Sequence, residues 1–113
     1  MINIHTCEDG SLLIELSGSL DVSGALKIEP QMKAAATAGN ADMGVDLSAL
    51  TFVSSQGIRV LVATAKILSI HGRKMALIAP RPDVRKVLLI MGIDKIIPLV
   101  DDRAAAADFF AGL

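Results

Sequence analysis

Apolar and polar residues alternate at the start of the chain, where Ile2 and Ile4 stand among Asn3, His5 and Thr6. A period of two is the mark of a strand with one wet face. The turn-forming run Glu8-Asp9-Gly10 follows, then Leu12-Leu13-Ile14-Glu15-Leu16, so the spacing predicts a hairpin whose second strand ends at Gly18. A helical stretch begins at Leu20-Asp21, with Asp21 or Ser23 as N-cap. Pro30 either opens the main helix or kinks one already begun, and the reading favoured is a broken first helix ending at Gly39. Met43 to Leu47 is a short apolar run, as expected of a strand buried on both faces. From Ile58 the apolar positions Ile58, Leu61, Val62, Ala65 and Leu68 keep helical spacing up to a stop at His71-Gly72. Met75 to Ala79 reads as another buried strand, and Asp83 to Met91 as a third helix with Pro82 at its start and Gly92 at its end. Ile96 to Val100, interrupted by Pro98, suits an edge strand. Asp101 or Asp102 then caps a last helix through Phe109 and Phe110.

The resulting order is β-β-α-β-α-β-α-β-α. Repeated β-α units imply a mixed, mostly parallel sheet of about five strands with about four helices against it, an α/β fold. With 113 residues there is room for one domain, spanning 1–113. At 52% hydrophobic and 20% charged the chain has ample material for a core, built from aliphatic residues because Phe52, Phe109 and Phe110 are its only aromatics.

Charge and chemistry narrow the function. The net charge of −1, with no basic stripe and no stacking aromatics, argues against nucleic-acid binding. Cys7 is a single cysteine, and His5, Cys7 and His71 lack the spacing of a metal site, so neither metal nor cofactor is expected. There is no Gly-x-Ser-x-Gly elbow and no phosphate-cradling loop with Lys-Ser/Thr, and neither histidine is placed as a base for a serine nucleophile. The chain is not expected to be an enzyme. It has no signal-peptide order at the start and no apolar run of membrane-spanning length, so a cytoplasmic location without membrane insertion is expected. Arg81, Arg85 and Lys86 read as a solvated basic face.

An ordered set of short segments remains. Gly18-Ser19-Leu20-Asp21 follows the hairpin; Val45-Asp46-Leu47-Ser48 leads to Phe52-Val53-Ser54-Ser55-Gln56-Gly57-Ile58; Gly72-Arg73-Lys74-Met75 precedes a strand; Val84 to Val87 and Met91-Gly92-Ile93 close the set. Taken together over nearly the whole chain, these segments resemble the STAS family, in its bacterial anti-sigma factor antagonist form. In that form the loop before the second helix reads Asp-Ser-Ser/Thr-Gly-Leu, and the serine after the aspartate is phosphorylated. The resemblance puts the aspartate position on Ser54, the phosphorylated serine on Ser55 and the glycine on Gly57, with Gln56 at the second hydroxyl position. The aspartate of the family's Leu-Asp pair falls on Asp21, expected near this loop.

The resemblance implies a STAS fold and a protein-binding switch in transcription control. Its partners would be an anti-sigma factor that is also a serine kinase of the GHKL type, and a PP2C-type phosphatase. The partner-binding residues it implies are Asp21, Ser54, Ser55, Gln56, Gly57, Ile58 and Arg59. Ser55, at or next to a helix N-cap, would meet free backbone N–H groups and a helix dipole that favour an anion. Gly57 would let a partner's backbone approach the hydroxyl. Two other readings stand beside this one: a permanent STAS subunit of a transporter or signalling complex, and small-ligand binding at the same loop. The latter finds little wall in loops so short.

Overall fold

A computed structural model describes residues 1–113. Strand β1 (Ile2–Thr6) pairs antiparallel with β2 (Leu12–Leu20), and helix α1 (Val22–Thr37) crosses to β3 (Met43–Val53). Then come α2 (Ser55–Ile70), β4 (Met75–Ile78), α3 (Pro82–Ile90), a 3₁₀ turn at Ile93–Lys95, β5 (Leu99–Val100) and α4 (Arg103–Phe110). The five strands lie in the order β1-β2-β3-β4-β5, with every pair after the hairpin parallel. This is the mixed sheet and the element order that the alternation of the sequence predicts.

The helices divide unequally between the two faces. Ile14 and Leu16 of β2, Val45 and Leu47 of β3 and Leu77 of β4 share one large cluster with Ile28 and Met32 of α1, Leu61 and Leu68 of α2, and Val84 and Leu88 of α3. The opposite face holds a small cluster, Leu13, Ala76, Ile78 and Ala106, with Phe109 and Phe110 packed against it, so α4 alone covers that side.

Four expectations are corrected. Helix α1 is unbroken and runs through Pro30. The proline and Leu26, whose carbonyl loses its helical donor, are both exposed, so no polar group is stranded in the core and the helix need not break. Strand β2 does not end at Gly18, whose positive φ of 80° bends the strand without stopping it. Strand β3 is longer than Met43 to Leu47. Between Glu15 and Ser17 of β2 the partner advances from Asp46 to Ala49, and between Gly18 and Ser19 from Leu50 to Phe52. Each slip adds a residue to β3 and inverts its alternation, so Leu47, Leu50 and Val53 are all buried in the same cluster. Side chains satisfy the interrupted ladder: the Asp46 carboxylate accepts from Ser48 N–H at 2.9 Å, and Thr51 Oγ1 donates to Gly18 O at 3.1 Å. The last strand is likewise shorter than the expected Ile96 to Val100, being Leu99–Val100 only.

Candidate functional site

Strands β2 and β3 end together, Leu20 opposite Val53. The next residue on each is a helix cap. Asp21 caps α1, its carboxylate accepting from Gly24 N–H at 2.7 Å. Ser54 caps α2, its hydroxyl accepting from Gly57 N–H at 3.1 Å. The two helix starts therefore lie side by side at the carboxyl ends of these two interior strands, Asp21 following Leu20 and Ser54 following Val53.

Leu20 ties the two together. Its carbonyl accepts from Ser54 N–H at 2.9 Å and from the Ser54 hydroxyl at 2.8 Å. Its side chain fills the space beside Gly57, where an added Cβ would stand 2.7 Å from Leu20 Cγ and 3.0 Å from Leu20 O. Gly57 is buried for this reason. The glycine expected to admit a partner's backbone instead admits the chain's own β2, because α2 starts pressed against the end of that strand. Ile58 is also buried, at 6% exposure, as part of the large cluster.

Ser55, by contrast, is exposed. It is the first helical residue, so the cap hydroxyl belongs to Ser54 and the Ser55 hydroxyl stays out of the capping bond. The first intrahelical bond runs from Ile58 N–H to Ser54 O, and Ser54 Oγ takes Gly57 N–H. The N–H groups of Ser55 and Gln56 are left as first-turn donors without an acceptor in the chain, at the positive end of a 16-residue helix. Gln56 is half-buried, and Arg59, four residues after Ser55 and on the same side of the helix, is exposed.

The other polar cluster lies on the α4 face. Asp46, 8% exposed, accepts from Arg103 Nη2 at 2.9 Å and Nε at 3.2 Å; the same Nη2 donates to Glu15 at 2.7 Å, and Glu15 meets His5 at 2.6 Å. Burial pushes the Asp46 carboxyl up, but the Ser48 N–H and Arg103 outweigh it and hold the group below its ordinary value. The His5 bond, then Arg103, lowers Glu15 in the same way. Sequence reasoning passed over Arg103, whose partners stand 57 and 88 residues away. Cys7 lines an apolar cleft of about 270 Å³ with Leu13, Gly44, Ile78, Ala106 and Phe110, beneath α4 and apart from the serine loop. His71 closes α2, its ring lying against Gly39.

With this geometry in view, comparison with known proteins gives a consistent answer. The STAS domain profile matches residues 4–106. Among relatives, BtrV of Bordetella bronchiseptica, named as a candidate anti-sigma factor antagonist, is 33% identical over 102 residues, covering 90% of this chain and 88% of its own. The anti-sigma F factor antagonist of Paenibacillus polymyxa is 30% identical over 98 residues, covering 86% and 84%. Among solved structures, an anti-sigma factor antagonist from Mycobacterium paratuberculosis superposes with a TM-score of 0.88 at 25% identity, over 98% of this chain and 93% of that one. The Bacillus protein SpoIIAA shares the fold in its unphosphorylated form, with a TM-score of 0.84 at 21% identity over 100% and 98% of the two chains, and in its phosphorylated form, with 0.74 at 20% over 96% and 97%. The chain belongs to the STAS domain family. The two relatives given above are named for anti-sigma factor antagonism, one of them as a candidate.

Proposed function

We propose that this chain is an anti-sigma factor antagonist whose binding to its partner is governed by phosphorylation of Ser55. The observation that carries the reading is the position of that hydroxyl: exposed at the first residue of α2, beside two unengaged backbone donors, in a fold that SpoIIAA adopts with and without phosphate. Because Ser54 does the capping, adding phosphate to Ser55 removes no bond that holds the helix start. The new group, at about −1.5 to −2 charges near pH 7, meets the helix dipole and the Ser55 and Gln56 N–H groups, with Arg59 one turn on. The fold survives; the surface changes.

In this mechanism the unphosphorylated protein binds a GHKL-type anti-sigma kinase through Asp21, Ser55, Gln56 and Arg59, with Ser54, Gly57 and Ile58 seating the loop from beneath. The kinase moves the terminal phosphoryl group of ATP to Ser55 Oγ and leaves ADP. A dianion then stands near the Asp21 carboxylate, and desolvating both against the partner becomes costly. A coupling of about 1–3 kcal/mol weakens binding about 5–150-fold, enough to release the partner. A PP2C-type phosphatase hydrolyses the ester and restores binding. Ser54 stands where the family has an acid, which leaves Asp21 as the carboxylate beside the phosphorylated serine.

The test is incubation with the cognate anti-sigma kinase and ATP. Label is expected on Ser55, Ser55→Ala abolishes it, and Ser55→Asp loses the partner. Label on another residue, or full binding by the aspartate form, would defeat the proposal. Recovery of a membrane ATPase in place of a kinase would favour a permanent transporter subunit.

A further inference from the structure

The β1 side of the sheet carries hydrogen-bonding groups that nothing in the chain uses. Met1 O accepts from Ser17 N–H at 2.9 Å, and Cys7 N–H donates to Ser11 O at 2.8 Å, bracketing the ladder from Ile2–Leu16 to Thr6–Leu12. Antiparallel pairing alternates bonded and non-bonded residue pairs. Asn3 and His5 therefore turn their backbone groups toward β2, whereas Ile2, Ile4 and Thr6 turn theirs outward. β1 is the first strand of the sheet, and no turn or loop bonds to those outward groups.

Natural proteins guard such edges with lysine, proline, a bulge or a covering segment. Here β1 reads Ile-Asn-Ile-His-Thr, without lysine or proline, in unbroken register with β2, and the Ile4 side chain is 42% exposed. The guards are missing.

We infer that β1 is a self-association edge, occupied by β1 of a second copy of this chain running antiparallel. The sequence is self-complementary about Ile4. In that register Ile4 faces the second copy's Ile4, Ile2 faces Thr6, and Asn3 faces His5. The outward-turned pairs, Ile4 with Ile4 and Ile2 with Thr6 on either side of it, each exchange both backbone N–H···O bonds. The two Ile4 side chains meet on the face that bears the helices, where Ile4 already neighbours Ile14. No lysine, arginine or carboxylate of one β1 faces a like charge on the other. Two five-stranded sheets become one continuous sheet. A five-residue strand buries less than the roughly 1,200–2,000 Å² of a stable interface, so the dimer is a weak one that forms as concentration rises. The edge is two strands from β3, which delivers Ser55, so both serine loops stay open and the inference does not depend on the proposed switch.

Sedimentation velocity from about 10 μM to about 1 mM, the range in which weak dimers assemble, is expected to show a monomer–dimer equilibrium. Amide exchange supplies a local readout: protection of Ile4 and Thr6 rises with concentration, whereas that of Asn3 and His5 does not change. Ile4→Pro removes one outward donor and leaves the bonds to β2 in place; Ile4→Lys keeps the donor and sets two like charges against each other. Both are expected to sediment as monomers at every concentration, with a circular dichroism spectrum like that of the parent. If Ile4→Pro fails to fold, Ile4→Lys decides the matter. A parent chain that remains monomeric at the top of the range overturns the inference. So does a dimer that survives Ile4→Lys, or one whose added protection maps away from β1.

Discussion

Between Ser54 and Ser55 the backbone passes from extended, at φ −90° and ψ 167°, to helical, and that one step separates a structural hydroxyl from an available one. Ser54 accepts from Gly57 N–H and donates to Leu20 O, so Ser54→Ala loses a cap bond and a strand tie together. A cost of about 1–2 kcal/mol is expected in chemical denaturation, with Ser55→Ala within about 0.5 kcal/mol of the parent. If the two costs are reversed, the capping assignment is wrong. Gly57→Ala is expected to destabilise by about 1–3 kcal/mol, because its methyl group would collide with Leu20. The motif itself was legible in the sequence, and with it the place of residues 54–58 at the start of a helix. Which serine caps was not, because either hydroxyl suits the position and only the register of β3 against β2 decides. The burial of Gly57 was hidden for a related reason: its neighbour Leu20 is 37 residues back along the chain and is brought there by strand pairing.

Helix α4 is held by the apolar contacts of Ala106, Phe109 and Phe110 and by polar contacts at both of its ends. Arg103 reaches across the sheet face to Asp46 and Glu15, and near the other end the Lys74 ammonium donates to Phe109 O at 3.2 Å and lies 5.1 Å above the Phe109 ring. The Asp46 carboxyl has a folded value below its unfolded one, so its contribution is fully present above about pH 4 and is lost as pH falls through the lowered folded value. Arg103→Ala therefore costs about 1–2 kcal/mol at neutral pH, discounted because the guanidinium is half exposed, with faster amide exchange in α4. The gap between parent and variant closes as Asp46 and Glu15, both held below their ordinary values, are protonated in acid. Melting curves at neutral and acid pH test this, and a gap that does not depend on pH would exclude the carboxylate as the partner that matters. Local patterning gave the type of all nine main elements, since caps, turn glycines and periodicity agreed. It misjudged extents at Pro30, which stands on the exposed side of α1, and in β3, where two slips disguise a long strand as a short one followed by a loop.

Across the molecule, the sheet carries a large apolar cluster on one face and a small one on the other. The three helices on the large cluster lock the sheet, and the serine loop sits where two of them begin. That arrangement was legible as a fold class but not in full as a surface: the cleft beneath α4 depends on which helix covers that face of the sheet. The aliphatic character of the core has a practical outcome. With no tryptophan or tyrosine anywhere, the protein is dark to conventional fluorescence. Phe52 lies 51% exposed at the end of β3, three residues ahead of Ser55, facing Asp83 and Val87 of α3 across a shallow dip. Replacing it by tryptophan would install a lone emitter at the mouth of the loop. Under the proposed switch, its colour and brightness would then follow, in real time, the arrival of a phosphate or of a binding protein that itself lacks tryptophan.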